Sequence, residues 1–134
     1  MKKQILLVAM LCLFTLLGCK ENSEKPSDLS QITLVSPEEA ALLLQMQNTQ
    51  LVDVRTVEEF ETGKIEGAVN LVYQKNFSEK IAELDKSKPV LVYCQSGGRS
   101  AKCAEILKEA GFEKIYDLEG GLTQWARAGN EILK

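Results

Sequence analysis

Apolar and polar positions along the chain fall into an alternating series of short strand-like and helix-like stretches. Ile32-Thr33-Leu34-Val35 reads as a strand. Ser36 then offers an N-cap, Pro37 suits the first helical position, and Glu39 completes a capping pattern, so a helix is expected from Pro37 to about Gln47. Leu51–Val54 is the next apolar run, followed by a short helix around Val57–Glu61 that ends at Gly63. Ala68–Leu71 reads as a short strand. Asn76–Asp85 reads as a helix with Phe77, Ile81 and Leu84 on one face. Val90-Leu91-Val92-Tyr93 has no polar member, the signature of a strand buried on both sides. A helix over Ser100–Ala110 stops at Gly111, Lys114–Leu118 forms a last strand, and Gly120-Gly121 opens a final helix carrying Leu122 and Trp125. Strands and helices alternating through short links predict an α/β fold with a parallel sheet covered by helices on both faces.

The ends of the chain follow other rules. Lys2 and Lys3 precede an apolar run, Ile5 to Leu17, broken only by Thr15. That run is short for a membrane span and suits the core of a secretory signal. Leu16-Leu17-Gly18-Cys19 resembles the bacterial lipobox, whose cysteine is diacylated and becomes the mature first residue. The alternative is an uncleaved amino-terminal anchor with an incidental cysteine. Either reading places the domain outside the cytoplasm at a membrane, in the cell envelope. Residues 1–18 are thus expected to be a lipoprotein signal peptide, residues 19–30 a flexible tether, and residues 31–134 the folded domain.

Composition narrows the chemistry. The 134 residues contain no histidine, which excludes Ser-His and Cys-His catalytic pairs and imidazole metal ligands. Net charge is −3, and removing residues 1–18 leaves fourteen basic against nineteen acidic side chains, so nothing favours a nucleic-acid partner. Of four cysteines, Cys12 leaves with the signal and Cys19 is the lipidation candidate. Cys94 and Cys103 remain, too few to predict a metal site. A Cys94–Cys103 disulfide is one option. A buried structural thiol at Cys103, in helical phase with Ile106, Leu107 and Ala110, is the preferred one.

Cys94 stands at the carboxyl end of the 90–93 strand, where ligands bind in open parallel sheets. Gln95-Ser96-Gly97-Gly98-Arg99-Ser100 lead from it into a helix. Glycines let successive N–H groups curl toward one point, the helix start adds unpaired N–H groups, and Arg99 adds a full charge. All three favour an anion at the sulfur, so Cys94 is expected to be largely thiolate near neutral pH and to act as a nucleophile. Arg99 is expected to brace the loop and raise its potential. As a lone surface arginine it would be unremarkable. Ser96 and Ser100 either hydrogen-bond the sulfur or cap the helix.

Four stretches together resemble the rhodanese family. Leu51-Val52-Asp53-Val54-Arg55 with Glu58-Glu59-Phe60 is similar to its DVR…EF signature. Gly63–Asn70 is similar to its GHIPGAIN segment, with Lys64 and Glu66 at the histidine and proline positions. Val92–Ser100 is similar to its active-site loop, and Glu119–Leu122 with Trp125 and Gly129 to its carboxyl-terminal pattern. The resemblance covers roughly residues 31–134. It implies a rhodanese-like, five-stranded parallel sheet and sulfur transfer through a persulfide on Cys94, without a cofactor. The small partners it implies are a sulfane donor such as thiosulfate and a thiol or cyanide acceptor. Asp53 and Arg55 match a polar pair in the family that supports neighbouring loops. Gln95 departs from the arginine or lysine of many thiosulfate-using members, which removes a cation near the donor's sulfonate. The loop from Cys94 to Arg99 is six residues, one fewer than in related phosphatases, and a smaller ring suits one terminal sulfur rather than phosphate. Two alternatives remain: a thiol or persulfide relay serving envelope proteins, and a non-catalytic binding module tethered to the membrane. A monomer is expected.

Overall fold

The computed structural model describes residues 31–46 and 48–134. Cys19, the signal segment 1–18 and the tether 19–30 lie outside the described residues. Strands β1 (Gln31–Val35), β2 (Gln50–Asp53), β3 (Val69–Asn70), β4 (Val90–Tyr93) and β5 (Lys114–Leu118) form one sheet in the order β1-β5-β4-β2-β3, and every pairing is parallel. Parallel neighbours need crossover connections, and the helices supply them: α1 (Pro37–Gln45), α2 (Val57–Thr62), α3 (Phe77–Lys80), α4 (Gly98–Glu109) and α5 (Gly121–Arg127). Among the described residues, no helix is long and apolar enough to cross a membrane.

β4 is the central strand, and all four of its residues are buried. Its alternation splits the core in two. Val90 and Val92 join Val52, Val54, Phe77, Ile81, Cys103, Ala104, Leu107, Phe112 and Ile115 on the face covered by α3 and α4. Leu91 and Tyr93 join Leu51, Ala40, Leu118, Leu122 and Trp125 on the face covered by α1 and α5. Each large apolar side chain sealed this way contributes about 1.5–3 kcal/mol against unfolding. The edge strand β1 is exposed at Gln31, Thr33 and Leu34, and buries only Val35 fully.

Local chemistry sets the boundaries. Ser36 Oγ accepts from Glu39 N–H at 3.2 Å while Glu39 Oε2 accepts from Ser36 N–H at 2.8 Å, a complete capping box at the start of α1. α1 ends at Gln45, earlier than its sequence pattern predicts, because Met46 turns extended and Asn48 adopts φ +88°. The helix expected over Asn76–Asp85 is instead the short α3 followed by a 3-10 turn, Ile81–Glu83. Asn76 provides no side-chain cap. Asp85 is drawn away: Gln50 exchanges two 2.8 Å hydrogen bonds with its backbone, and Ser87 binds its carboxylate. Lys64 forms an antiparallel bridge with Leu133, which ties the carboxyl terminus to the 63–66 segment.

Candidate active site

α4 begins at Gly98, two residues before its predicted start, because Gly97 stands just before the helix at φ +104°. That left-handed conformation aims the Gly97 N–H back at Cys94 Sγ, 3.1 Å away. Gly98 does not require it, so one glycine rather than two bends the loop. The resulting turn wraps the sulfur. Cys94 is only 1% exposed, and Ser100 Oγ lies 3.7 Å from Sγ. Burial pushes the Cys94 thiol up. The Ser100 amide and hydroxyl and the amides of Ser96 and Gly97 pull it down, and the net direction is down.

Ser100 is wholly buried, and its hydroxyl also reaches the Gly97 carbonyl at 3.2 Å. Of the two roles expected for Ser96 and Ser100, the helix cap is not filled, because no side chain caps the start of α4, whereas Ser100 Oγ does lie against the sulfur. Ser96 contributes its amide and leaves its side chain exposed.

Arg99 braces the loop but does not aim its charge at the sulfur. Its guanidinium makes a bidentate pair with Glu59, at 2.7 and 2.8 Å. The expected bracing is present, and the positive potential that Arg99 adds at Cys94 is partly offset by the Glu59 carboxylate. Glu59 in turn accepts the Thr56 N–H at 2.9 Å, closing a second capping box at the start of α2. The Arg99 pairing holds the Glu59 carboxyl down, to about 2, against the opposing effect of burial. One glutamate thus fastens α2 to the cysteine loop. Sequence reading did not assign it to the site, although Thr56-Val57-Glu58-Glu59 carries the capping-box pattern.

Asp53 and Arg55 lie toward the opposite face of the sheet. Asp53 aligns with Tyr93 in the ladder, and the Arg55 guanidinium sits 5.8 Å from the Tyr93 ring centre. Both are buried and joined at 2.7 Å. Arg55 also donates to the Gly63 carbonyl at 2.6 Å and to Gln95 Oε1 at 3.3 Å. Gln95 Nε2 donates to Thr123 Oγ1 at 3.1 Å, and Thr123 Oγ1 donates to the Gln95 carbonyl at 2.9 Å. A neutral amide is therefore held between the β2–α2 loop and α5, beside the cysteine.

α5 belongs to the site through its backbone. Leu122 N–H donates to the Cys94 carbonyl at 2.8 Å, and Thr123 N–H to the Gln95 carbonyl at 3.1 Å. Gly121 permits this approach: at φ +57°, any β-carbon would overlap the Cys94 carbonyl and the Gln95 backbone. The Gly120-Gly121 pair was visible in the sequence as a helix start. Its closeness to residue 94 depends on β5 lying beside β4.

Cys103 faces the same core as Cys94 and is completely buried. Both thiols are free, which removes the disulfide option in this structure. Burial pushes Cys103 up to about 12, reinforced by negative charge at Cys94 and Asp117. Among the described residues, no group of histidine, cysteine and carboxylate side chains could hold a metal ion.

Comparison with known proteins agrees with this arrangement. The rhodanese-like domain model matches residues 36–128. The thiosulfate sulfurtransferase GlpE of Shewanella oneidensis is 32% identical over 75% of this chain and 98% of its own length. That of Actinobacillus succinogenes is 36% identical over 72% of this chain and 86% of its own. Among solved structures, a rhodanese-related protein from Thermoplasma volcanium superposes with a TM-score of 0.68 at 27% identity, covering 75% of this chain and 97% of that one. A rhodanese-like domain protein from Staphylococcus aureus does so with a TM-score of 0.64 at 30% identity, covering 76% and 99%. Fold, loop and family match converge, and the chain belongs to the rhodanese-like domain family.

Proposed function

We propose that the protein is a sulfurtransferase that moves a sulfane sulfur from a donor such as thiosulfate to a thiol or cyanide, carrying it as a persulfide on Cys94. The observation that supports this best is the Gly97 N–H 3.1 Å from Cys94 Sγ with the Ser100 hydroxyl oxygen 3.7 Å from it, in a loop whose backbone amides favour the anion and a site without histidine. Cys94 thiolate attacks the outer sulfur of thiosulfate, the sulfur–sulfur bond of the donor breaks, and sulfite leaves with the electron pair. The terminal sulfur of the persulfide carries the negative charge, and preorganised N–H donors stabilise it as they would an oxyanion. Cyanide or a thiolate then attacks that sulfur, and Cys94 thiolate leaves.

A second reading rests on Gln95. Its amide is held by Arg55 and Thr123 and presents no positive charge beside the loop. That favours a persulfide donor over a sulfonate-bearing one, as in a relay serving envelope proteins. For location, we propose lipid attachment at Cys19 and residence in the bacterial cell envelope, on the lipobox pattern at Leu16–Cys19. Palmitate labelling should be lost in Cys19→Ala, and labelling of that variant would refute the anchor.

The central test is intact mass. Incubation with thiosulfate should add about 32 Da, one sulfur, and cyanide should remove it as thiocyanate. Loading by an organic persulfide but not by thiosulfate would favour the relay. No loading from any sulfane donor would favour a binding module.

A further inference from the structure

Cys94 and the point where the chain enters the fold lie at opposite ends of the domain. Residue 30 leads into Gln31, the first residue of β1. Every pairing in the sheet is parallel, so the amino ends of all five strands share one edge and their carboxyl ends share the other. Gln31 is at the amino edge, in register with Lys114, the first residue of β5. Cys94 directly follows Tyr93, the last residue of β4, at the carboxyl edge. Strands of four or five residues separate the two edges by roughly 13–17 Å, before the loops at either end are added.

α1 runs back from the carboxyl edge to the amino edge. It starts after Ser36, just past β1, and its C-cap Met46 stands four residues before Gln50 opens β2. Its outward stripe changes character on the way. Glu38, in the first turn, is exposed and charged. Leu42 and Met46, one and two turns further on, are 62% and 64% exposed. Leu34, Val57 and Val69 are also exposed, but they lie singly on three other elements, as is normal for a protein surface. Charges at the amino edge are mixed: Lys114 stands next to Glu113, and Lys88 pairs with Asp85 at 3.8 Å. Apolar exposure, rather than net charge, marks this edge.

We infer that the amino edge of the sheet, with Leu42 and Met46, rests against the bilayer, and that Cys94 points away from it. The inference rests on the lipid anchor at Cys19 proposed above. Residues 19–30 reach at most about 40 Å even when fully extended, so an acylated Cys19 holds Gln31 near the membrane. Inverting the domain would lift Gln31 by the height of the domain, roughly 30 Å, and would use up most of that reach. The upright arrangement also takes Leu42 and Met46 out of water. The inverted one leaves them in water and turns Glu38 and the exposed Glu119 toward lipid. The sulfur donor and acceptor of Cys94 are therefore water-borne species, not molecules dissolved in the bilayer.

The test is tryptophan quenching in the lipidated full chain, reconstituted in phosphatidylcholine vesicles whose acyl chains are brominated near the headgroup. Each variant adds one tryptophan to Trp125, the single one of the chain, and is read as a difference from wild type. Met46→Trp should gain blue-shifted emission that brominated lipid quenches, and adding Leu42→Gln should weaken that quenching. Glu119→Trp, next to Gly120 and so beside the cysteine loop, should gain emission that is equal in brominated and unbrominated vesicles. Equal quenching at both positions, or quenching at 119 alone, overturns the inference. Palmitate labelling of the same samples separates two failures. Unlabelled protein refutes the anchor and the inference with it, whereas labelled protein with neither tryptophan quenched refutes only the orientation. A detergent-solubilised dimer that Leu42→Gln dissociates would assign this face to a second copy and likewise overturn the inference.

Discussion

Cys94 and Cys103 lie in one core under one helix, 1% and 0% exposed, yet their acidities move in opposite directions. Burial raises both thiols. It prevails at Cys103, which has only apolar packing and nearby negative charge, and pushes it up to about 12. At Cys94 it is outweighed by three amide groups and one hydroxyl. Burial therefore does not distinguish a reactive thiol from an inert one. What distinguishes them is position along α4: Cys94 faces the open N–H groups at the start of the helix, whereas Cys103 lies where every backbone donor is already used within the helix.

Removing either sulfur tests this contrast with the largest expected effect. Cys94→Ser should lose sulfur loading and thiocyanate formation by about 10³-fold or more, because a serine hydroxyl stays protonated with no base nearby. Cys103→Ala should keep turnover within about twofold and lose only stability. If Cys103→Ala abolishes loading while Cys94→Ser does not, the reacting sulfur is misassigned.

The backbone behind the contrast can be disturbed at Gly121. Gly121→Ala would force a methyl into the Cys94 carbonyl from a left-handed conformation, and should cost roughly 2–4 kcal/mol of stability. Gly98→Ala meets nothing within 4 Å and should be tolerated. Urea unfolding of the two variants checks the difference, and equal losses would mean that α5 does not hold the loop.

The two thiols should also pull stability in opposite directions with pH. Cys103 has a raised folded pKa, so its contribution is complete below the ordinary thiol value and is lost as pH rises toward about 12. Cys94 has a lowered one, so its contribution is present above the ordinary value and is lost as pH falls through the folded pKa. Cys103→Ala should therefore flatten the alkaline decline in stability, whereas replacing Cys94 should steepen it. Thermal unfolding across alkaline pH checks the sign.

The smallest effect is expected at Arg99. Its charge is bound to Glu59 on a partly exposed surface, so Arg99→Ala should cost about 0.5–1 kcal/mol and move the Cys94 alkylation inflection upward only slightly. A large upward shift would show that the guanidinium, rather than the amides, sets the acidity of the sulfur.

Much of this was legible in the chain. Apolar alternation, the Ser36 cap and the uninterrupted run 90–93 placed every strand to within a residue or two, since strands buried on both faces have few other ways to hide such runs. The Cys94 loop was visible because a cysteine, a glycine pair and a helix start are adjacent in sequence, and local geometry alone turns their N–H groups together. The tertiary structure decided the rest. Glu59 lies forty residues from Arg99, and Thr123 lies twenty-eight from Gln95. Asp117 reads as an ordinary polar position until β5 is laid beside β4. Local sequence determines which backbone groups can converge on a sulfur. Strand order determines which distant side chains are buried against it, and burial raises the cost of any charge there.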